Sequence, residues 1–225
     1  RILRKGEDGS WNYDGEKIDG VRSTLKLSDN EVLVRGGDGE ERILRKGEDG
    51  SWNYDSNSID GFDGEVSSTV KLSDNEVLVC GVVGYKRGEM RILRRGEDGL
   101  WSYGSNRRIY GFDYIVRSTL KLSDNEALVC GDDGKTRILR KGEDGLWSYN
   151  RIDGFDGIVR STLKFSDSEV LVCSGSGFES ETRILRKGED GSWNYDSNSI
   201  DGFDNVIYST LKLSDNEVLV CGGDG

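Results

Sequence analysis

Arg137-Ile-Leu-Arg-Lys-Gly-Glu-Asp-Gly-Leu-Trp147 is one of five near-copies of a single string, which begin at Arg1, Arg42, Arg91, Arg137 and Arg183. Arg137 to Lys141 is a short run with aliphatic residues at its centre, Gly142-Glu-Asp-Gly145 places glycines where a backbone reverses, and Leu146-Trp-Ser-Tyr149 resumes the extended pattern. A longer polar stretch follows, then Ile158 to Phe165, a Ser-Asp-Ser-Glu turn, and Val170-Leu-Val-Cys173. Short runs rich in Val, Ile, Leu, Thr, Tyr and Trp, bounded by Gly, Asp or Asn, read as strands. In Thr24-Leu-Lys-Leu-Ser28 the leucines share one side while Thr24, Lys26 and Ser28 share the other, the two-residue period of a pleated ribbon. A helix needs a period of about 3.6 over roughly ten residues or more, and glycine interrupts every candidate. Asp29-Asn30, Asp74-Asn75, Asp124-Asn125 and Asp215-Asn216 are residue pairs that suit two-residue hairpin loops.

The copies span residues 1–41, 42–90, 91–136, 137–182 and 183–225, so they fill the chain as a single domain with no appended module. Four antiparallel strands per copy make a propeller blade, and the expected fold is an all-β, five-bladed β-propeller. A β-solenoid, the competing reading, wants shorter parallel coils in place of hairpins. The longest link follows Trp-Asn/Ser-Tyr and therefore joins one blade to the next. Strand a, innermost, is then Ser-Thr-Leu-Lys-Leu-Ser; b is Glu-Val-Leu-Val-Cys; c is Arg-Ile-Leu-Arg-Lys; d, outermost, carries the tryptophan. In this phase the chain opens at c and closes at b, so the closing blade is expected to combine the N-terminal c and d strands with the C-terminal a and b strands, which removes free edges. Ends that fall inside a blade, without an initiating methionine, suggest a trimmed product or a segment of a longer array. The near-identity of the copies suggests recent amplification or engineering from one blade.

In blade count and length the chain resembles the tachylectin-like lectins. Its a-b-c-d phase, with a strand, an Asp-Gly turn and a strand in the second half, is similar to WD-repeat blades, and the Gly-Glu-Asp-Gly-x-Trp string resembles the Asp-box hairpin of sialidase-type propellers. The resemblance implies the propeller fold; it carries over no binding residue.

Composition removes several functions. The chain has no histidine, which excludes a Ser-His-Asp triad, a Cys-His dyad and a histidine-ligated zinc. The net charge is −11, with acids concentrated in turns, and an acidic surface disfavours nucleic acid, whose phosphates want a basic stripe. No apolar run approaches the roughly 18 residues of a membrane span, and no charged-then-apolar leader opens the chain. Asp201-Gly-Phe-Asp204 lacks the spacing of a calcium loop, so no metal and no cofactor is expected.

Four sets of residues carry functional readings. Trp11, Trp52, Trp101, Trp147 and Trp193 are each followed two positions on by Tyr13, Tyr54, Tyr103, Tyr149 and Tyr195, which puts both rings on one face of strand d. They are either the repeated seam between blades or a stacking platform for a sugar ring. Lys26, Lys71, Lys121, Lys164 and Lys212 recur on strand a and either pair with local carboxylates or hold an anion in an axial channel. Cys80, Cys130, Cys173 and Cys221 end strand b, with Arg35 in the fifth place. Ring geometry separates them too far for disulfides, so buried thiols are expected, and Arg35 implies that one such site reaches water. The b-c and d-a links emerge on one face and vary in length, adding Tyr85, Met90, Tyr110, Tyr114 and Phe178 as partner-binding candidates. The leading expectation is a monomeric, non-enzymatic, multivalent lectin-like module with sites between blades. The alternatives are a protein-binding scaffold that uses the variable face, and an amplified or engineered propeller with no evolved ligand.

Overall fold

The computed structural model describes residues 2–14, 21–36, 40–59, 62, 64–84, 87–112, 114–155, 157–176, 179–200, 202 and 205–223. Among them no helix occurs, and the runs read as strands are strands. Strands β1 (Ile2–Lys5) and β2 (Trp11–Asp14) form a two-stranded sheet. The first four-stranded sheet is β3 (Val21–Lys26), β4 (Glu31–Gly36), β5 (Glu41–Lys46) and β6 (Trp52–Ile59) in that order. The second is β7 (Glu65–Ser73), β8 (Glu76–Val83), β9 (Arg87–Arg95) and β10 (Trp101–Phe112), and the third is β11 (Val116–Ser123), β12 (Glu126–Gly131), β13 (Thr136–Lys141) and β14 (Trp147–Ile152). The fourth is β15 (Val159–Lys164), β16 (Glu169–Ser176), β17 (Glu179–Lys187) and β18 (Trp193–Tyr195); β19 (Ile207–Lys212) and β20 (Val218–Gly222) make a second two-stranded sheet. Each four-stranded sheet thus starts at strand a, the phase that link length predicts. The strands fall into two compact units, residues 1–62 with 95–103, and residues 63–94 with 104–225.

Within the second unit the a strands β7, β11, β15 and β19 pack in succession. Hydroxyl pairs tie them: Ser68 to Thr119, Ser118 to Thr162 and Ser161 to Thr210, each at 2.8 Å. Strand b is apolar on both faces because each interior sheet is covered on both sides. Ala127 and Val129 join Leu72, Leu78, Cys80 and Ile92 in one core, while Leu128 and Cys130, one residue out of phase, join Val159, Val170, Leu185 and Trp193 in the next. A continuous Val/Ala-Leu-Val-Cys run is what such burial demands.

The c-d turn explains its own sequence. In β13–β14, Gly142 N donates to Leu146 O at 2.7 Å, Gly145 N donates to Gly142 O at 2.9 Å, and Asp144 Oδ1 accepts the Leu146 N–H at 2.9 Å. Gly145 lies at φ +73°, where a side chain is strained.

Two expectations change. The polar stretch after Trp-x-Tyr, read as loop, is strand in the second and third copies: β10 runs for 12 residues, and β6 pairs Leu44 with Tyr54 but Arg42 with Ser58 across a bulge; in the fifth copy β18 ends at Tyr195. Ser, Asn and Asp are poor strand formers, yet strand c supplies a backbone to pair with, and context overrides propensity. Likewise the b-c link of the second copy is a hairpin extension, in which Cys80 pairs with Met90 and Val83 with Arg87, and that of the fourth extends to Ser176 paired with Glu179.

Candidate functional site

The aromatic pairs of strand d are not placed alike in the interior sheets: Trp101 and Trp193 are buried, whereas Trp52 and Trp147 are half-buried. Trp193, 5% exposed, lies in the core shared by β11–β14 and β15–β18, with the Lys187 ammonium 5.8 Å from its ring centre. Tyr195 stacks on Phe155 at 5.1 Å, and its hydroxyl bonds Thr136 Oγ1 at 2.6 Å. Trp101 is buried likewise, and Trp147 packs against the neighbouring core. These indoles fill the joints, leaving no open ring face for a sugar at Trp101 or Trp193. The exception is Trp11 on β2, 61% exposed, beside the exposed Tyr13.

Tyrosine position follows what the preceding sheet offers. Tyr103 bonds the Glu41 carboxylate, and Tyr195 bonds the Thr136 hydroxyl; both partners are the residue just ahead of the repeated arginine of strand c. The equivalent of those partners in the second copy is Met90, opposite Cys80, and Met90 has no oxygen to offer. Tyr149 is 38% exposed, and so is Tyr54. Each of these two rings carries a guanidinium near its face, Arg137 at 5.8 Å and Arg42 at 5.7 Å.

The same layer corrects the reading of Arg35. It does not reach water: Arg35 is 7% exposed and Glu41, its cross-strand neighbour, 3%. Arginine replaces cysteine here because glutamate replaces threonine or methionine across the ladder, and a buried charge persists when it is paired. Burial pushes the Glu41 carboxyl up, while the Tyr103 hydrogen bond and Arg35 pull it down. Cys80, Cys130 and Cys173 are buried free thiols and Cys221 is exposed. Desolvation pushes Cys130 up to about 12 and Cys173 to about 11, so neither offers a thiolate near neutrality.

A repeated polar staple, which the sequence reading missed, joins consecutive sheets. Glu31, Glu76 and Glu126 open strand b, and each accepts from an arginine of its own strand c: Arg45 at 2.7 Å, Arg94 at 2.8 Å and Arg140 at 2.8 Å. Each also accepts from the last basic residue of strand c in the following sheet: Arg95 at 3.3 Å, Lys141 at 2.8 Å and Lys187 at 2.6 Å. The arginine in turn donates to the carbonyl of the last turn glycine in the following copy, as in Arg4 to Gly50 at 2.7 Å, Arg45 to Gly99 at 3.3 Å, Arg94 to Gly145 at 3.2 Å, and Arg140 to Gly191. The signal was present, since Glu opens strand b and Arg is fourth in Arg-Ile-Leu-Arg in all five copies.

Each strand-a lysine pairs with the aspartate of its own turn. Lys26–Asp29, Lys71–Asp74, Lys121–Asp124 and Lys164–Asp167 stand at 2.7 Å, and Lys212–Asp215 at 2.8 Å. The lysine hydrogen bond holds each of these carboxyls below its ordinary value. Every ammonium in the expected ring therefore has a local counter-charge. A cavity of about 510 Å³ lined by Lys121, Glu126, Lys164, Asp167 and Lys187 lies among these pairs.

On the face of the variable links, Tyr114 is exposed at 44% while Met90 is buried at 1% and belongs to the core. Tyr85 and Phe178 lie outside the described residues, and for Tyr110 the description extends only to its place in β10. The repeated arginine that opens strand c is matched by an acid from the adjoining link: Arg42 with Glu40, Arg91 with Glu89, Arg137 with Asp133, and Arg183 with Glu181. The acid stands two residues ahead of the arginine in three of these links and four ahead in that of the third copy.

Successive four-stranded antiparallel sheets, each ordered from strand a to strand d, make this a propeller-like all-β protein. No protein-family model matches the sequence, and no curated protein matches it. Among solved structures, the chain is similar to a protein from Lactobacillus plantarum with a TM-score of 0.65 and 13% identity, over 86% of this chain and 61% of that one. It is also similar to a functionally unknown protein from Desulfotomaculum acetoxidans DSM 771, with a TM-score of 0.61 and 9% identity, over 96% of this chain and 66% of that one. At such identities the likeness concerns the fold alone, and the chain spans less than two thirds of either neighbour's length.

Proposed function

We propose that the chain is a five-bladed propeller whose fifth blade is assembled from β1–β2 and β19–β20, and that it works as a non-enzymatic, multivalent binding module through the face of its variable b-c and d-a links. The observation that carries this reading is the division of labour among residues. The a-b and c-d turns and the staples repeat in kind, whereas length and chemistry vary on the opposite face, where hairpins β8–β9 and β16–β17 extend and Tyr114 is exposed. A frame of this kind displays different loops at fixed spacing, so several weak contacts add as avidity. Catalysis fits poorly, because the strand-b glutamates Glu31, Glu76 and Glu126 are engaged by two cations each and the buried thiols are held protonated.

The test shortens residues 82–89 to the link length of the third copy. Melting temperature is expected to hold while binding of a protein partner is lost; retained binding would sink the proposal. Carbohydrate binding is the second reading, favoured by the half-exposed, guanidinium-flanked rings of Tyr54 and Tyr149. A glycan-array signal abolished by Tyr54→Ala and Tyr149→Ala would select it.

A further inference from the structure

Strand a breaks its ladder at the same place in all five copies. The register slips between Val21 and Ser23, Val66 and Ser68, Val116 and Ser118, Val159 and Ser161, and Ile207 and Ser209. The extra residue in each bulge is Arg22, Ser67, Arg117, Arg160 or Tyr208, whereas the Ser-Thr pair that follows never changes. A bulge takes one side chain out of the pairing pattern and re-aims it. Here it does so at the end of strand a where the variable links join, since Val116 pairs with Gly131 and Val159 with Ser174.

Within the second compact unit the bulged residues meet different fates. Ser67 turns to its own sheet and donates to Cys80 O at 3.3 Å. Arg117 is held by a carboxylate: its Nε and Nη2 donate to the two oxygens of Asp132, each at 2.7 Å, the forked pair that is both strong and directional. In the fourth copy that acid is replaced. Backbone bonds identify the matching position, because Asp132 N donates to Ile115 O, Gly175 N to Ile158 O and Gly223 N to Val206 O. No acid fits at Gly175, where a Cβ would lie 2.7 Å from Val206 Cα and 3.0 Å from its Cγ1. Arg160 is half-buried, and among the described residues its Nε, shut off from solvent, meets no acceptor. Tyr208 is 63% exposed and lies beside Gly223, where a Cβ would stand 3.5 Å from the Tyr208 hydroxyl. The Ser118–Thr162 and Ser161–Thr210 bonds, one residue further along, set the bulges of β11, β15 and β19 side by side.

We propose that Arg160, with Tyr208 beside it, is a binding site for a carboxylate carried by a protein partner, and that Arg117–Asp132 is the internal version of the same contact. This inference rests on the reading of the variable-link face as the binding face, and it names the chemistry that face selects. The neighbouring pair sets the geometry: a guanidinium fork takes the two coplanar oxygens of one carboxylate, which a point charge such as lysine does not do. The Tyr208 ring offers an apolar wall to the group that bears the carboxylate. A net charge of −11 repels anions at long range, so attraction comes from the local fork and from the rest of the partner's contact surface, not from a diffuse field.

Three small probes test the site on the full chain. N-acetylphenylalanine carries a terminal carboxylate, N-acetylaspartyl-phenylalaninamide a side-chain carboxylate, and N-acetylphenylalaninamide neither. Each is titrated into protein made with isotopically labelled arginine, and the Arg160 Nε–H resonance, assigned by its loss in Arg160→Gln, is followed by NMR. The expected result is a saturable shift with at least one carboxylate probe and none with the amide. Which carboxylate responds tells whether the partner presents a chain end or an acidic side chain. Line broadening of the probe gives the affinity of variants: Arg160→Lys, which keeps the charge but not the fork, is expected to weaken binding about tenfold. No saturable shift with either carboxylate, an equal shift with the amide, or undiminished affinity in Arg160→Lys would overturn the site. Shortening residues 82–89 is expected to leave the probe shift in place, which separates the two readings. A chain that loses its partner on that shortening but shows no probe shift refutes the carboxylate site alone; one that shifts with the probe but keeps its partner refutes the role of the variable links alone.

Discussion

Arg35 and Glu41 show how a single departure from a repeat is absorbed. The cysteine position at the end of strand b tolerates arginine because the residue across the ladder changed with it, and Tyr103 then donates to the resulting carboxylate. Arg35→Cys alone strands Glu41 in a buried site and is expected to destabilise the chain by about 3–5 kcal/mol. Arg35→Cys with Glu41→Thr recreates the Cys130–Thr136 arrangement and is expected to recover most of that loss in urea unfolding. At the same layer, Met90→Thr supplies the missing acceptor for Tyr149. It is expected to draw that ring in and to stabilise by about 1 kcal/mol, a gain that Tyr149→Phe abolishes in a double-mutant cycle. The anomaly at position 35 was legible in the sequence, but its meaning was not. The partner that makes arginine tolerable sits on another strand, and Tyr103 comes from the following sheet.

At the scale of the element, hairpins and links behave differently as sources of information. Turns were legible because their chemistry is local: Asp144 bonds its own backbone two residues on, and Gly145 adopts a positive φ, so Gly145→Ala is expected to cost about 1 kcal/mol in thermal unfolding. The staples were not, because Glu126 meets its second partner, Lys187, on the next sheet. They also set the acid response. Burial raises the Glu126 carboxyl, but hydrogen bonds from Lys187 and Arg140 outweigh it and leave it below its ordinary 4.5; Glu76 behaves alike through Lys141 and Arg94. A carboxyl depressed in the fold contributes stability that is present above 4.5 and lost as pH falls through its folded value. Glu41, raised by burial, works in the opposite sense, its penalty easing as pH falls toward 4.5. Glu126→Gln is therefore expected to lower stability by about 1–3 kcal/mol at neutral pH, and the gap from the parent chain should narrow below pH 4.5 in melts across pH. A constant gap would mean that the ion pairs contribute nothing.

For the whole molecule, a repeat fixes the blade more firmly than the number of blades around the axis. Copy length, hairpin phase and the two-sided burial of strand b all follow from residues inside one copy. The angular step between blades does not, because it is set by how Trp193, Tyr195 and Phe155 fill one seam, with the staples as cross-ties. Half a blade at each end is nevertheless informative. Since Arg4 reaches Gly50 as Arg45 reaches Gly99, β1–β2 holds the place of the sheet preceding β3–β6. Since Ser161 reaches Thr210 as Ser118 reaches Thr162, β19–β20 holds the place of the sheet following β15–β18. Only in a five-fold ring are those two places the same. A circular permutant tests this directly: joining position 225 to position 1 through a two-residue link, and opening the chain between residues 19 and 20, turns the shared blade into a continuous four-stranded one. If the ring is five-fold, the permutant should unfold in one transition at a temperature no lower than the parent. Its gain is bounded by the closure entropy of a long loop, about 4–5 kcal/mol. If the ends belong to different places on a larger or open ring, the link is strained, and the permutant should melt lower, in two steps, or aggregate through β1 and β20 as exposed edges.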